Sequence, residues 1–160
     1  MSLLDAKEYD PRPAQRRNRL IAIAVILVVA ALILWRLFRY WPEEHAVNNF
    51  LQAIEHKDFE KAYGLYWADP NWKQHPEKYK DYTMDQFLLD WGPSSDYGVI
   101  TSHNIECATE PPKKGFLGPS GVIVVVRLNN RGDKTEPLWV EKSTKSIAPS
   151  PDQVLCHGPA

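Results

Sequence analysis

LIAIAVILVVAALIL, residues 20–34, carries no polar side chain over fifteen positions. A helix rises about 1.5 Å per residue, so the run covers about 22 Å. Bilayer hydrocarbon is about 30 Å thick and a span needs about 20 residues. The residues that follow supply the difference. Trp35, Leu37, Phe38, Tyr40 and Trp41 suit the boundary layer, and Arg36 and Arg39 can extend their charged ends among head groups. Arg19 bounds the run on its other side. Residues 19–41 are read as one transmembrane helix. A cleaved signal peptide has the same basic front and apolar core, but bulky aromatics and arginines stand where a small-residue cleavage site belongs. A buried soluble helix is the remaining alternative, and the uncleaved anchor is preferred to both.

Toward the N-terminus, residues 1–18 are polar, with Pro11 and Pro13 among Lys7, Arg12, Arg16 and Arg17. They read as a disordered cytoplasmic tail whose charge sets topology. Basic residues accumulate on the cytoplasmic side of a span. This places the N-terminus in the cytoplasm and the C-terminal domain outside the cell membrane, in the periplasm if the cell is bacterial. Trp41-Pro42 leaves almost no linker, so the domain is expected near the head groups.

Toward the C-terminus, residues 42–160 can build one compact domain. Residues 1–41 hold seven Lys/Arg against three Asp/Glu, leaving twelve against seventeen for the rest. An acidic domain repels phosphates, which argues against nucleic acid as a partner.

Pro42-Glu43-Glu44 opens a helix, because proline and early acids suit a helix N-terminus. Val47, Phe50, Leu51 and Ile54 give it one apolar face. Asp58 caps a second helix faced by Phe59, Ala62, Tyr63 and Tyr66. The pair is read as residues 42–57 and 59–67. A short helical piece interrupted at His75-Pro76 covers residues 72–79. Thr83 and Gln86 form a capping box for a helix over 83–91, stopped by Gly92-Pro93.

Beyond Pro93 the pattern becomes β. Residues 97–108 alternate, placing Val99, Thr101, His103, Ile105 and Cys107 on one face. Residues 121–128 contain VIVVV, apolar on both faces as in a central strand. Asn129 to Asp133 read as a hairpin turn, and residues 136–147 as a third strand. The product is an antiparallel meander packed on helices. The domain proper covers residues 42–147, and residues 148–160 form a tail.

Cys107 and Cys156 both fall on the outer side, where a disulfide is permitted. A closed loop of about fifty residues is worth a few kcal/mol in the chain-entropy model. The alternative is two unrelated thiols, one buried and one in a loose tail. Neither has a C-x-x-C partner, which argues against redox catalysis.

V-x-x-F-L-x-A-I-x-x-x-D-F-x-x-A-Y spans Val47 to Tyr63. With the third helix and the long strands after it, this opening resembles the ketosteroid-isomerase-like, or nuclear transport factor two-like, α+β cone over residues 43–147. The resemblance implies a curved sheet wrapped around the helices. It is closest to membrane-anchored bacterial members with one such domain beyond a single span. Enzymes of the family hold an acid and a base in the cone; many other members are binding or assembly modules. The isomerase's aspartate and tyrosine find no matching positions here, and no early strand lies between the helices.

Chemistry is sparse. His45, His56, His75, His103 and His157 lack metal-ligand spacing, so no metal is expected, and no cofactor motif occurs. Gly115, Gly118 and Gly121 do not lie between a strand and a helix as phosphate binding requires. No nucleophile motif is present. Arg131-Gly132-Asp133 spells an adhesion tripeptide but reads as a polar turn. Asp90, Tyr97 and His103 are the weak catalytic candidates: a buried Asp can serve as base while Tyr or His donates to an oxyanion. The plainer reading puts Asp90 in solvent and His103 in a satisfied strand. Trp67, Trp72, Tyr79, Tyr82 and Trp91 cluster around the irregular connection. Core packing explains most of them, and an aromatic rim for a peptide or apolar ligand is the alternative.

The expectation is thus a non-enzymatic, single-pass membrane-anchored module that engages lipid and a membrane or envelope protein or a small apolar ligand, with dimerisation possible. Its rivals are an enzyme using the cone cavity (isomerase, dehydratase or hydrolase) and a self-associating envelope component.

Overall fold

A computed structural model describes residues 12–111, 119–130, 135–150, 152, 154 and 156, with side chains from residue 16 onward. The chain divides into two units, residues 1–39 and 40–160. The first is a single helix, α1 (Arg12–Leu37). At about 1.5 Å per residue its 26 residues extend about 39 Å. Four consecutive residues, Ile26, Leu27, Val28 and Val29, are 49–66% exposed, and four positions at ~100° each sample every side of a helix.

The second unit is α+β. Its helices are α2 (Trp41–Glu55), α3 (Phe59–Tyr66) and α4 (Met84–Trp91), with two 3-10 turns, Trp72–Gln74 and Pro76–Tyr79, between the last two. Four strands follow: β1 (His103–Thr109), β2 (Gly121–Leu128), β3 (Glu136–Glu141) and β4 (Ile147–Pro149). They form one open antiparallel sheet in the order β1-β2-β3-β4.

The helices form where capping and periodicity place them. α2 starts with Pro42, Glu43 and Glu44 in its first turn and buries Val47, Phe50, Leu51 and Ile54. In α3 the Asp58 carboxylate accepts from the Lys61 N–H at 3.2 Å. The reciprocal Thr83–Gln86 box opens α4. The ends are less conventional. Lys57 and Ala68 both take positive φ, 60° and 53°. The Lys57 and Asp58 N–H groups return to Ile54 and Ala53 carbonyls, and those of Ala68 and Asp69 to Leu65 and Gly64. Both helices therefore close with Schellman turns in which a residue with a Cβ occupies the left-handed position usually given to glycine.

The core lies between the helices and one sheet face. Val122, Val124, Val126 and Leu128 of β2 meet Phe50, Tyr63, Tyr66, Phe87 and Trp91. The aromatic rings pack edge to face; Phe50 and Trp91 have centroids 5.0 Å apart at 83°. An ion pair buried at its acidic end fixes the sheet's far turn to α2: Lys145 Nζ donates to Glu43 Oε1 at 2.6 Å, and Glu43 is 5% exposed.

The strand region departs from expectation at four places. β1 begins at His103, since residues 94–98 turn back through the Ser95–Gly98 hydrogen bond. Residues 136–147 are two strands, because Lys145 adopts φ 65° and bends the chain after Glu141. Residues 148 and 149, assigned to the tail, complete β4. A β-bulge at Glu106 also resets the alternation. Ile105 pairs with Val126, but Cys107 pairs with Val125. His103 and Ile105 thus point toward the helices, while Cys107 points away from them.

That outward cysteine is bonded to Cys156, with Cα atoms 5.9 Å apart. The chain leaves β4 at one edge of the sheet and is bonded to β1 at the opposite edge. Cys156 therefore lies across the sheet from Pro149, on the face away from the helices. Ile123 and Val125 lie on that face and are fully buried. The Arg131-Gly132-Asp133 turn and His157 lie outside the described residues, as does most of the loop carrying Gly115 and Gly118.

Candidate functional site

The end of α4, the turn after it, the last residues of β2 and β4 and the first residue of β3 border a cleft of about 440 Å³. Asp90 and Trp91 come from α4, Ser94 to Tyr97 from the turn, and Tyr82 from the segment before α4. Leu128, Glu136 and Pro149 complete it from the strands. Gly92 makes the abrupt exit from α4 possible, since a Cβ there would overlap the Leu88 carbonyl.

Two tyrosine–carboxylate pairs organise this cleft. The Tyr82 hydroxyl donates to Asp90 Oδ2 at 2.7 Å, and the Glu136 carboxylate lies beside the Tyr97 hydroxyl. Burial, and then the Glu136 carboxylate, push the Tyr97 hydroxyl up to about 12. Burial and the Asp90 bond push Tyr82 up as well. Both phenols are neutral donors near neutral pH. Trp91 and Tyr97 stack 5.5 Å apart at 26°, and Leu89 on the rim is 67% exposed.

Of the three catalytic candidates, Asp90 and Tyr97 share this cleft and His103 does not. The His103 ring lies between β1 and α2, with Nδ1 at 2.6 Å from Glu55 Oε1 and Nε2 at 3.0 Å from Asn48 Oδ1. Asn48 and Glu55 are seven residues apart, two turns of one helix face. With its side chain 9% exposed, His103 ties sheet to helix and does not line the cleft. Asp90 is exposed and its Oδ2 accepts from the Tyr82 hydroxyl.

The five aromatic candidates do not form one rim. Tyr79 and Trp91 are core residues, 4% and 5% exposed. Trp67 lies 5.1 Å from Tyr79 and 6.3 Å from Tyr82, tilted against the first and edge-on to the second. Trp72 lies elsewhere, in an open groove of about 750 Å³ beside α3. It sits there because α3 has Gly64, where a Cβ would be 3.2 Å from its ring. Only Tyr82 and Trp91 join the acidic cleft. Asp96, Glu136, Leu128 and Pro149 were not among the sequence candidates; three of them arrive from strands far away in the chain. Among the described residues, no three His, Cys, Asp or Glu side chains are placed to hold a metal ion.

Tyr79 has a separate role. Its hydroxyl donates to Asp69 Oδ2 at 2.5 Å. This bond, with smaller help from the Asn71 N–H and Lys78, holds the Asp69 carboxyl below its ordinary value. A depressed carboxyl stabilises the fold above its unfolded value, near 3.8, and that contribution is lost as pH falls through the lower folded value. Tyr79→Phe is accordingly expected to lower the melting temperature at pH 6, with the gap to wild type narrowing as pH falls below 3.8. Thermal melts across that range check it; a gap that widens in acid would contradict the assignment.

No family model, curated protein or solved structure matches this chain.

Proposed function

We propose that the protein is a single-pass membrane-anchored binding or assembly module whose α+β domain works outside the cytoplasm. The observation that carries this is α1. Its apolar side chains are exposed on every side, over a window of mean hydropathy 2.9. A helix apolar all round needs a nonpolar solvent or an enclosing core, and lipid supplies the first. The basic N-terminal flank supports a cytoplasmic N-terminus. The Cys107–Cys156 bond supports an oxidising location for the domain. Two helices at an acidic corner, a third helix and an antiparallel meander support kinship with the ketosteroid-isomerase-like cone. The interior that such a cone would use is filled here by Phe50, Tyr63 and Phe87. This favours binding at the acidic cleft over catalysis within.

The enzyme reading has one observation in its favour, the shared cleft of Asp90 and Tyr97. Against it, Asp90 is exposed and already accepts from Tyr82, and His103 is engaged with Glu55.

A photo-crosslinking residue at Leu89 of the full chain, in native membranes, tests the proposal. The chain is expected to resist alkaline carbonate extraction and to give a discrete adduct from Leu89 but not from Lys80, which is exposed outside the cleft. Release into the soluble fraction, or equal labelling from both positions, would overturn it. An adduct of two copies would identify the partner as the chain itself.

A further inference from the structure

We propose that the basic end of α1 binds the head group of an anionic phospholipid that carries two phosphates. The inference rests on the reading of α1 as a membrane span. Arg16, Arg17 and Arg19 are exposed, and α1 contains no Asp or Glu. Among the described residues, no carboxylate pairs with any of the three. At ~100° per residue, Arg19, Arg16 and Arg17 follow one another over an arc of about 160°, with Asn18 on the other side. Three guanidinium groups therefore serve one side of the helix.

Two further observations point to an anion there. The first turn of α1 holds no acidic residue, although the unpaired N–H groups and the dipole of a helix N-terminus favour negative charge. Arginines in the second turn add to that positive potential instead of cancelling it, and a bound anion relieves both. The second observation is depth. Arg16 stands about 6 Å and Arg19 about 1.5 Å along the axis from Leu20, where the apolar run opens. Lipid phosphates lie just outside the hydrocarbon, and arginines near the ends of a span extend to that layer. Leu20, Ile21 and Ile23 are 45–68% exposed and offer apolar surface to the acyl chains of the same lipid. That surface selects a lipid over a free phosphate. Topology requires only positive charge, whereas the guanidinium fork pairs bidentately with phosphate. An arc of about 160° is too broad for one phosphate to meet all three forks. Two phosphates on one head group can divide them.

Cardiolipin is the probe with two phosphates. The full chain is purified in micelles doped with cardiolipin, phosphatidylglycerol and phosphatidylcholine at equal phosphate concentration, and native mass spectrometry counts the lipid it retains. Cardiolipin adducts are expected to exceed phosphatidylglycerol adducts roughly tenfold, and Arg16→Gln/Arg17→Gln/Arg19→Gln should lower them to the phosphatidylcholine level. Arg36→Gln, at the other end of α1, should leave them unchanged. An unchanged far-ultraviolet spectrum verifies that the triple variant keeps its helices. Equal retention of cardiolipin and phosphatidylglycerol, or cardiolipin retained by the triple variant, overturns the proposal. Inorganic diphosphate bound as tightly as cardiolipin would assign the site to a free anion and overturn it too. If the chain resists carbonate extraction while cardiolipin is not preferred, the lipid assignment falls and the anchor reading stands; if the chain is extracted, the anchor reading itself falls.

Discussion

Replacing Phe50 with alanine is expected to remove about 3–5 kcal/mol of the domain's stability, the range for truncating a fully buried phenylalanine. Phe50 has no exposed surface. Its ring lies 5.0 Å from Trp91, 6.0 Å from Tyr66 and 6.2 Å from Phe87. The three neighbours come from α3 and α4, so Phe50 is where α2 meets both other helices. An alanine leaves a void that large aromatic neighbours cannot close without leaving their rotamers, and dispersion contacts are lost along with buried area. Small domains have only about 5–15 kcal/mol in total, so the variant should unfold at far lower urea. Trp91 fluorescence on the full chain in micelles reports the transition. Phe50→Leu should lose markedly less. An alanine variant within ~1 kcal/mol of wild type would mean that Phe50 is not central to the core.

The second large effect is expected from Cys107→Ser/Cys156→Ser. A closed loop with a separation of 49 residues constrains the unfolded chain by about 4 kcal/mol in the chain-entropy relation. The native state contributes as well. Ile123 and Val125 are fully buried on the sheet face that carries the bond. Urea unfolding of the double variant should therefore show a lower midpoint, and reduced wild type should match it. Amide exchange in β2 should rise where Ile123 and Val125 reside, while α3 and α4 change little. Midpoints that coincide for oxidised, reduced and double-serine protein would sink this account.

The helices were legible in the sequence because their determinants are local. Periodic apolar residues, Asp58 as a cap and the Thr83–Gln86 box each act within a few positions. Helix ends were harder to place, because Lys57 and Ala68 take a conformation that composition assigns to glycine. The bulge at Glu106 was invisible: Ile105-Glu106-Cys107 reads as plain alternation, and only pairing with β2 shows the extra residue. Its effect is large, since it turns Cys107 outward and makes the bond to Cys156 possible. The last hairpin merged into one strand on paper because Lys142 to Ser146 offers neither glycine nor proline. As for the site, Asp90 and Tyr97 are close along the chain and fall in one set of sequence candidates, with Trp91 in another. Glu136 and Pro149 join them through strand register, which a single sequence does not state.

The Glu43–Lys145 ion pair has a mechanical corollary. Tension applied to the chain at residue 40 enters the domain through the first turn of α2, where Glu43 is held by a lysine 102 positions downstream. Load is thus shared at once with the turn preceding β4, instead of falling on the helix alone. Cutting that clamp by Lys145→Ala would turn a stiff attachment point into a peelable one.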